Sequence, residues 1–184
     1  MTSLIRSLLT VLRHRWMDDT HARRALPPTA LARLKQRVSA SEERHSGQIR
    51  IAVEAGLPMS YLWRHLRRRV PLRQIVRERA LMQFGKLRVW DTAHNNGVLI
   101  YLLLAERAIE IVGDRGLNPL VTAADWQALL ARMRPAFREG RFEDGLGQAV
   151  DEVSAMLLAG FPKWQDSGGA NDPGNELPDA PVVL

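Results

Sequence analysis

Apolar residues recur at helical spacing near the start of the chain: Leu4, Leu8, Leu12 and Trp16, with Ile5 and Leu9 beside them. The pattern predicts a short amphipathic helix over 3–16, with Arg6, Arg13 and Arg15 mostly off the stripe. Residues 18–28 read as a linker closed by Pro27 and Pro28. Thr29 is then an N-cap for a helix to about Arg44, with Leu31, Leu34 and Val38 inward and Gly47 as the stop residue. The period next changes to two. Ile49, Ile51 and Val53 alternate with Gln48, Arg50, Ala52 and Glu54, the pattern of a strand with one less buried face or a place near an edge.

Helical spacing returns over 60–69 and 72–87, divided by Pro71, which disfavours helical geometry at Val70. Leu72, Ile75, Val76, Ala80 and Phe84 make the second stripe. A polar loop over 91–97 leads into an unbroken apolar run over 98–105, as expected for a strand covered on both faces. Glu106 and Arg107 read as a tight turn, and 108–114 as the returning strand. Thr122 caps a helix carrying Trp126, Leu129, Leu130, Met133 and Phe137 on one face, and Gly140 ends it. Phe142, Leu146, Ala149, Val150, Val153 and Leu157 mark a last helix to about Gly160. The order helix, strand, helices, strand, strand, helices predicts the α/β class: a three-layer α/β/α sandwich on a small mixed β-sheet with a central β-hairpin. The first two strands, joined through helices, are expected to be parallel. Three segments follow: an amphipathic N-terminal helix and linker over 1–28, the domain over 29–161, and a mobile acidic tail over 162–184.

Composition narrows the function. A chain of 184 residues holds one domain with short extensions. With no cysteine, disulfides, thiolate metal sites and cysteine nucleophiles are excluded. The net charge is +6 and is carried mostly by arginine, since Lys35, Lys86 and Lys163 are the only lysines. Beyond Trp164 the chain has Asp166, Asp172, Glu176 and Asp179 and no basic residue. No apolar run is long enough for a membrane-spanning helix, and the interrupted N-terminal run followed by Arg13, His14 and Arg15 is unlike a signal peptide. The expected location is therefore cytoplasmic, with a peripheral place at the inner face of the membrane if the basic amphipathic helix lies on it. That helix equally suits docking on the domain itself or on a partner. The apolar end of the acidic tail reads either as disordered or as a docking peptide.

An arginine cluster, Arg64, Arg67, Arg68, Arg69, Arg73, Arg77 and Arg79, forms a solvated face or an anion-binding one. With only Tyr61 and Trp63 nearby for base stacking, an anionic lipid surface or an acidic protein fits it better than nucleic acid. Local catalytic motifs are missing: there is no Gly-x-Ser-x-Gly, P-loop or dinucleotide fingerprint. Glu42 and His45 form a lone Glu-x-x-His, read as a solvated helix end because a di-iron bundle needs two such motifs. With Glu106 and Arg107 as the turn, Asp114 is expected opposite Leu99, near Gly97 and the loop back to Asp91. One sheet edge then gathers Asp91, Thr92, Asn95, Asn96 and Asp114, the oxygen-bearing set that calcium or magnesium requires. The same residues also serve as ordinary loop formers that bond their own backbone. His94 lies in the loop, and Arg115 is placed to pair with a carboxylate or bind an anion. Glu54 and Glu106 follow different strand ends at the opposite edge.

The run Asn95-Asn-Gly-Val-Leu-Ile-Tyr-Leu-Leu-Leu-Ala-Glu-Arg, followed by Ile109-Glu-Ile-Val-Gly-Asp-Arg-Gly, resembles the core of the TPM domain. Met133-Arg-Pro-Ala-Phe-Arg-Glu-Gly-Arg-Phe-Glu-Asp-Gly-Leu and Gly47-Gln-Ile-Arg-Ile also match its pattern. The resemblance spans about 29–161 and implies an α/β/α sandwich. Some members are similar to a thylakoid-lumen protein assigned acid phosphatase activity, some bind divalent cations including calcium, and others are extracytoplasmic or membrane-bound with no settled activity. It implies Asp91, Asn95, Asn96 and Asp114 as metal-site residues. Many members carry a signal peptide and a membrane anchor; this chain resembles a shorter subgroup without either. Two functions follow as expectations. One is an interaction or assembly module near a membrane, with both termini as docking elements and a protein or an anionic membrane surface as partner. The alternative is a divalent-metal-dependent phosphatase using the Asp91/Asp114 edge.

Overall fold

The computed structural model describes residues 2–163 and 174–184. Helices α1 (Thr2–Trp16), α2 (Asp19–Ala25) and α3 (Pro28–Glu42) precede strand β1 (Gln48–Glu54). Helices α4 (Met59–Arg68) and α5 (Leu72–Lys86) lead to β2 (Gly97–Leu103) and β3 (Ala108–Gly113). Helices α6 (Ala123–Arg138) and α7 (Phe142–Gly160) follow, and a short strand β4 (Val182–Val183) lies at the C-terminus. The sheet order is β3-β2-β1-β4, with β1 parallel to β2 and to β4, and β2 antiparallel to β3. This is the expected mixed sheet around a hairpin, with one strand more than the sequence pattern showed.

Two apolar layers sandwich the sheet because successive strand side chains point to opposite faces. Ile49, Ile51, Val53, Val98, Ile100 and Leu102 pack on one side against α3, α6 and α7, including Leu34, Val38, Met133, Phe137 and Val150. Ala52, Leu99, Tyr101 and Leu103 pack on the other against Leu62, Ile75, Val76 and Ala80 of α4 and α5. Each large apolar side chain so buried contributes about 1.5–3 kcal/mol relative to exposure.

Several local expectations change. The 18–28 segment is largely helix α2, capped by Asp18, whose carboxylate accepts from the N–H groups of Thr20 and His21, and its Ala22 and the Leu26 that follows it are buried in the first layer. Helix α3 starts two residues earlier than a Thr29 cap would give, with Pro27 at the N-cap and Pro28 as its first residue. Gly47 does not stop it; a Cβ there would stand 2.4 Å from Leu157, so the glycine permits close packing on α7. Strand β1 is interior and almost wholly buried, because the C-terminal segment covers its outer side. The hairpin turn is a short 3₁₀ segment, Leu104–Glu106, followed by Arg107 at φ 48°. The register shifts with it: Leu99 faces Val112, and Asp114 lies just past the ladder beside Gly97.

The sequence pattern predicts a mobile tail, with its apolar end either disordered or a docking peptide. Its distal part, 174–184, instead lies along β1: the Leu184 N–H donates to the Val53 carbonyl at 2.9 Å, and Leu177 is buried in the second layer. Residues 164–173 of the tail and the side chains of Leu4, Ile5 and Leu8 lie outside the described residues.

Candidate functional site

The expected site sits where the loop after α5 enters β2 and where β3 ends. Two glycines let the backbones meet there. A Cβ on Gly97 would lie 2.0 Å from the Val89 carbonyl oxygen, and one on Gly116 would lie 2.5 Å from the Asn95 carbonyl oxygen. Between them Asn95 adopts φ 51°, a left-handed conformation asparagine tolerates better than most residues. The Gly116 N–H donates to the Asn95 carbonyl at 2.9 Å, and the Asp114 N–H donates to the Gly97 carbonyl at 2.9 Å. The structure thus brings Asn95, Asn96 and Asp114 together through backbone bonds, with Asp114 opposite Gly97 rather than Leu99.

Their side chains divide. Asp91 is exposed and accepts from Arg88 at 2.6 Å, an i,i+3 pair at the mouth of the loop. Asn95 Oδ1 accepts from Arg115 Nε at 3.0 Å. Asp114 Oδ1 accepts from the Arg115 N–H at 2.7 Å, a local cap for the turn that follows β3. Asn96 is fully buried; its N–H donates to Thr92 Oγ1 at 3.1 Å and its Nδ2 to Ser46 Oγ at 3.4 Å. Two oxygens are left over. Asn96 Oδ1 and Asp114 Oδ2 are buried and have no hydrogen-bond partner, an arrangement that normally calls for water, an ion or a ligand.

Another oxygen comes from the C-terminal segment. Glu176 Oε2 accepts from the Ala93 N–H at 2.9 Å, while its Oε1 is buried without a partner. Gln48 holds this segment in place: its Oε1 accepts from the N–H groups of Glu176 and Leu177, each at 3.0 Å. No local signal marked Glu176 or Gln48, since the residues they serve are far away in sequence. His94 is exposed on the same loop. Among the described residues, no group of three or more His, Asp or Glu side chains is placed to hold a metal ion.

The opposite edge is structural. Glu54 pairs twice with Arg79, at 2.9 and 2.5 Å, and accepts from the Tyr101 hydroxyl at 2.6 Å. Burial and the adjoining Glu54 carboxylate raise the Tyr101 pKa above its ordinary value. Glu106 joins Arg13 and His14 of α1. Burial works against its charge, but the His14 and Arg13 hydrogen bonds prevail and hold its carboxyl below the usual range. The Glu-x-x-His residues are buried rather than solvated. Glu42 accepts from the Ile49 N–H at 2.7 Å; His45 donates from Nδ1 to the Gly47 carbonyl at 3.0 Å and meets Ser154 through Nε2. They tie the end of α3 to β1 and α7.

The arginine cluster is only partly a free cationic face. Arg64 pairs with Glu78, Arg77 with Glu110 and Arg79 with Glu54. Arg67 stacks over the Trp63 ring at 5.1 Å.

This architecture, a small mixed sheet between helical layers with an Asn/Asp-rich β-hairpin edge, matches a known class. The model of the TPM domain matches residues 20–156, so the chain belongs to the TPM-domain family. Its fold is shared by the BA42 protein of the psychrophilic bacterium Bizionia argentinensis, at 24% identity and a TM-score of 0.68, over 86% of this chain and 95% of that one. The N-terminal domain of a protein from P. gingivalis also aligns, at 18% identity and a TM-score of 0.48, over 74% of this chain and 78% of that one. A search of curated proteins finds no match.

Proposed function

We propose that this TPM-domain protein is an interaction module that docks on an anionic membrane surface through α1. One observation carries the reading. Leu9, Leu12 and Trp16 share one face of α1 and are 59%, 45% and 76% exposed, although the helix is anchored on the domain. Helix α1 has no acidic residue, and Arg15 flanks the stripe, while Arg13 beside it is engaged by Glu106. The neighbouring α4 adds Met59 and Trp63, both half exposed, with Arg67 over the indole. Apolar and tryptophan side chains framed by arginines match the chemistry of a bilayer boundary with acidic headgroups. No helix among the described residues is long and apolar enough to cross a membrane, so the proposed contact is peripheral.

The test is co-sedimentation with phosphatidylcholine vesicles with and without phosphatidylserine. Wild type should bind the anionic vesicles, less so at high salt, and a triple Leu9→Ser, Leu12→Ser, Trp16→Ser variant should not. His14 is kept because it holds the helix to the domain. Equal binding by the triple variant would remove α1 as the anchor.

A second reading, calcium or magnesium binding, draws on the unpartnered oxygens of Asn96, Asp114 and Glu176, since hard cations take oxygen ligands. Asp91 and Asn95 fit it less well, being engaged by Arg88 and Arg115. An NMR titration with calcium, then magnesium, on wild type and Asp114→Ala should shift the amides of 92–97 and 114–116 in wild type alone. The phosphatase alternative is tested beside it: turnover of a generic phosphate ester that survives Asp91→Ala and Asp114→Ala places any chemistry elsewhere.

A further inference from the structure

One edge of the sheet is closed by the chain's own β4, while the other is strand β3, which among the described residues pairs only with β2. The ladder phase shows which β3 groups are free. The bond from the Asp114 N–H to the Gly97 carbonyl makes those two a hydrogen-bonded pair. Along the register, Leu99/Val112, Tyr101/Glu110 and Leu103/Ala108 are the pairs of the same kind. In an antiparallel ladder the intervening residues turn their N–H and C=O groups away from the partner strand. On β3 these are Ile109, Ile111 and Gly113. The Ile111 carbonyl confirms the phase, because it accepts from Arg77 Nη1 at 2.6 Å on the outer side. The three outward N–H groups, and the carbonyls of Ile109 and Gly113, have no partner among the described residues.

This edge is the floor of a trough rather than a flush surface. A cavity of about 670 Å³ between α5 and α6 is lined by Arg73, Ile111, Gly113, Trp126 and Arg134. A second, of about 260 Å³, continues it past Ile109 to Arg138. Both share Arg73, Glu110 and Arg134, so together they follow β3. The walls are cationic. Arg73 and Arg134, one from each flanking helix, and Arg138 make no ion pair among the described residues. The acidic groups lining the trough are already engaged: Glu110 by Arg77, with weaker attraction from Arg73 and Arg134, Glu78 by Arg64, and Glu106 by α1.

We propose that the β3 edge is a strand-addition site for an extended acidic peptide of a partner protein. Main-chain bonds to Ile109 and Gly113 and to the Ile111 N–H supply the pairing, since Arg77 holds the Ile111 carbonyl, and Arg73, Arg134 and Arg138 select carboxylates on the added strand. Trp126 offers an apolar wall at one end of the trough. The same sheet already accepts an extended segment at its other edge, where Val182 and Val183 pair with Ala52 and Val53.

The test uses the full chain and a fluorescein-labelled decapeptide alternating Glu with Val and Thr. Its controls replace Glu by Lys, or methylate alternate backbone nitrogens. Anisotropy should show binding of the Glu peptide, no binding of the Lys peptide, and affinity reduced by about tenfold or more for the methylated one. Amide exchange at Ile109, Ile111 and Gly113 should slow on binding, while Glu110 and Val112, already bonded to β2, stay unchanged. Arg73→Glu combined with Arg134→Glu should weaken binding by about tenfold or more at unchanged melting temperature. If that variant fails to fold, the methylated peptide and the exchange pattern still decide. Absence of binding overturns the proposal, as does binding that leaves the three amides unprotected. A free protein that is dimeric, with those amides already protected, would assign the edge to a second copy and also overturn it.

Discussion

His14 Nε2 lies 2.9 Å from a carboxylate oxygen of Glu106, 92 residues away in the chain. On its other side His14 Nδ1 accepts the Leu57 N–H at 3.0 Å, so Nε2 carries the proton and donates to Glu106. This buried imidazole joins α1 to two loops at the same end of the sheet, after β1 and after β2. Replacing it by alanine orphans the Leu57 N–H and removes a partner of Glu106. The expected loss is about 2–3 kcal/mol in urea denaturation, with faster tryptic cleavage at Arg13 and Arg15. Unchanged stability and cleavage would mean that α1 is held by other contacts.

The Glu54 carboxylate is the hub of a second buried network, serving Arg79 and Tyr101 together. Glu54→Ala leaves a nearly buried guanidinium and a hydroxyl without their partner, with an expected loss of about 3–5 kcal/mol. Tyr101→Phe removes one hydrogen bond and should lose about 1–2 kcal/mol. Chemical denaturation of both variants checks the ranking; a larger loss for Tyr101→Phe would contradict it.

Glu42 and His45 give opposite pH dependences. Burial raises the Glu42 pKa from 4.5 to about 7, with Asp179 nearby adding to the shift, and the Ile49 N–H and Lys163 opposing it. The folded state therefore holds the proton more tightly, and the contribution to stability is lost as pH rises from 4.5 to about 7. Burial lowers the His45 pKa from 6.5 to about 4, assisted by Arg44 and Lys163 and opposed by its bond to Gly47. That contribution is lost as pH falls from 6.5 to about 4. The wild type should change little where the windows overlap. Glu42→Gln, which keeps an acceptor for Ile49, should become more stable with rising pH through the His45 window. His45→Gln should become less stable through the Glu42 window. Urea midpoints across a pH series test this, and parallel profiles for all three proteins would refute it.

Gln48→Ala withdraws the single acceptor shared by the Glu176 and Leu177 N–H groups. The expected cost is about 1–3 kcal/mol. Amide exchange should speed up at residues 176 and 177 and at Ala93, whose N–H depends on Glu176. Acceleration at 176 and 177 alone would show that Ala93 is protected independently of the tail.

Gly97→Ala forces a Cβ onto the Val89 carbonyl. Because the neighbour is backbone rather than a flexible side chain, a loss of about 1–3 kcal/mol is expected. Amide shifts should be centred on Asn96 and Asp114, and a silent substitution would show that the Val89 turn can move.

Much of the fold was legible because periodicity is a local signal. The unbroken apolar run containing Leu99 and Tyr101 marked a strand covered on both faces, and the Thr122 cap with Trp126 and Met133 marked α6. Leu26 escaped because short helix α2 has too few turns to display a stripe. The pairing error at Asp114 came from the turn: Glu106 and Arg107 carry no residue that announces a 3₁₀ segment, so the ladder was displaced. Asn95, Asn96 and Asp114 were nevertheless found as neighbours, since a hairpin brings its own two ends together whatever the turn length.

Local spacing and chemistry in the sequence therefore determined the three layers, the central hairpin and the collection of Asn and Asp at one end of it. Tertiary structure alone decided which oxygens remain unpartnered there, because Arg88 and Arg115 occupy some of them and Glu176 arrives from the tail. It also decided that β1 is interior and β3 is an edge. The physical reason is that partnership and burial belong to pairs of groups distant along the chain. Whether a carboxylate is engaged or a strand edge is covered depends on which remote segment folds against it.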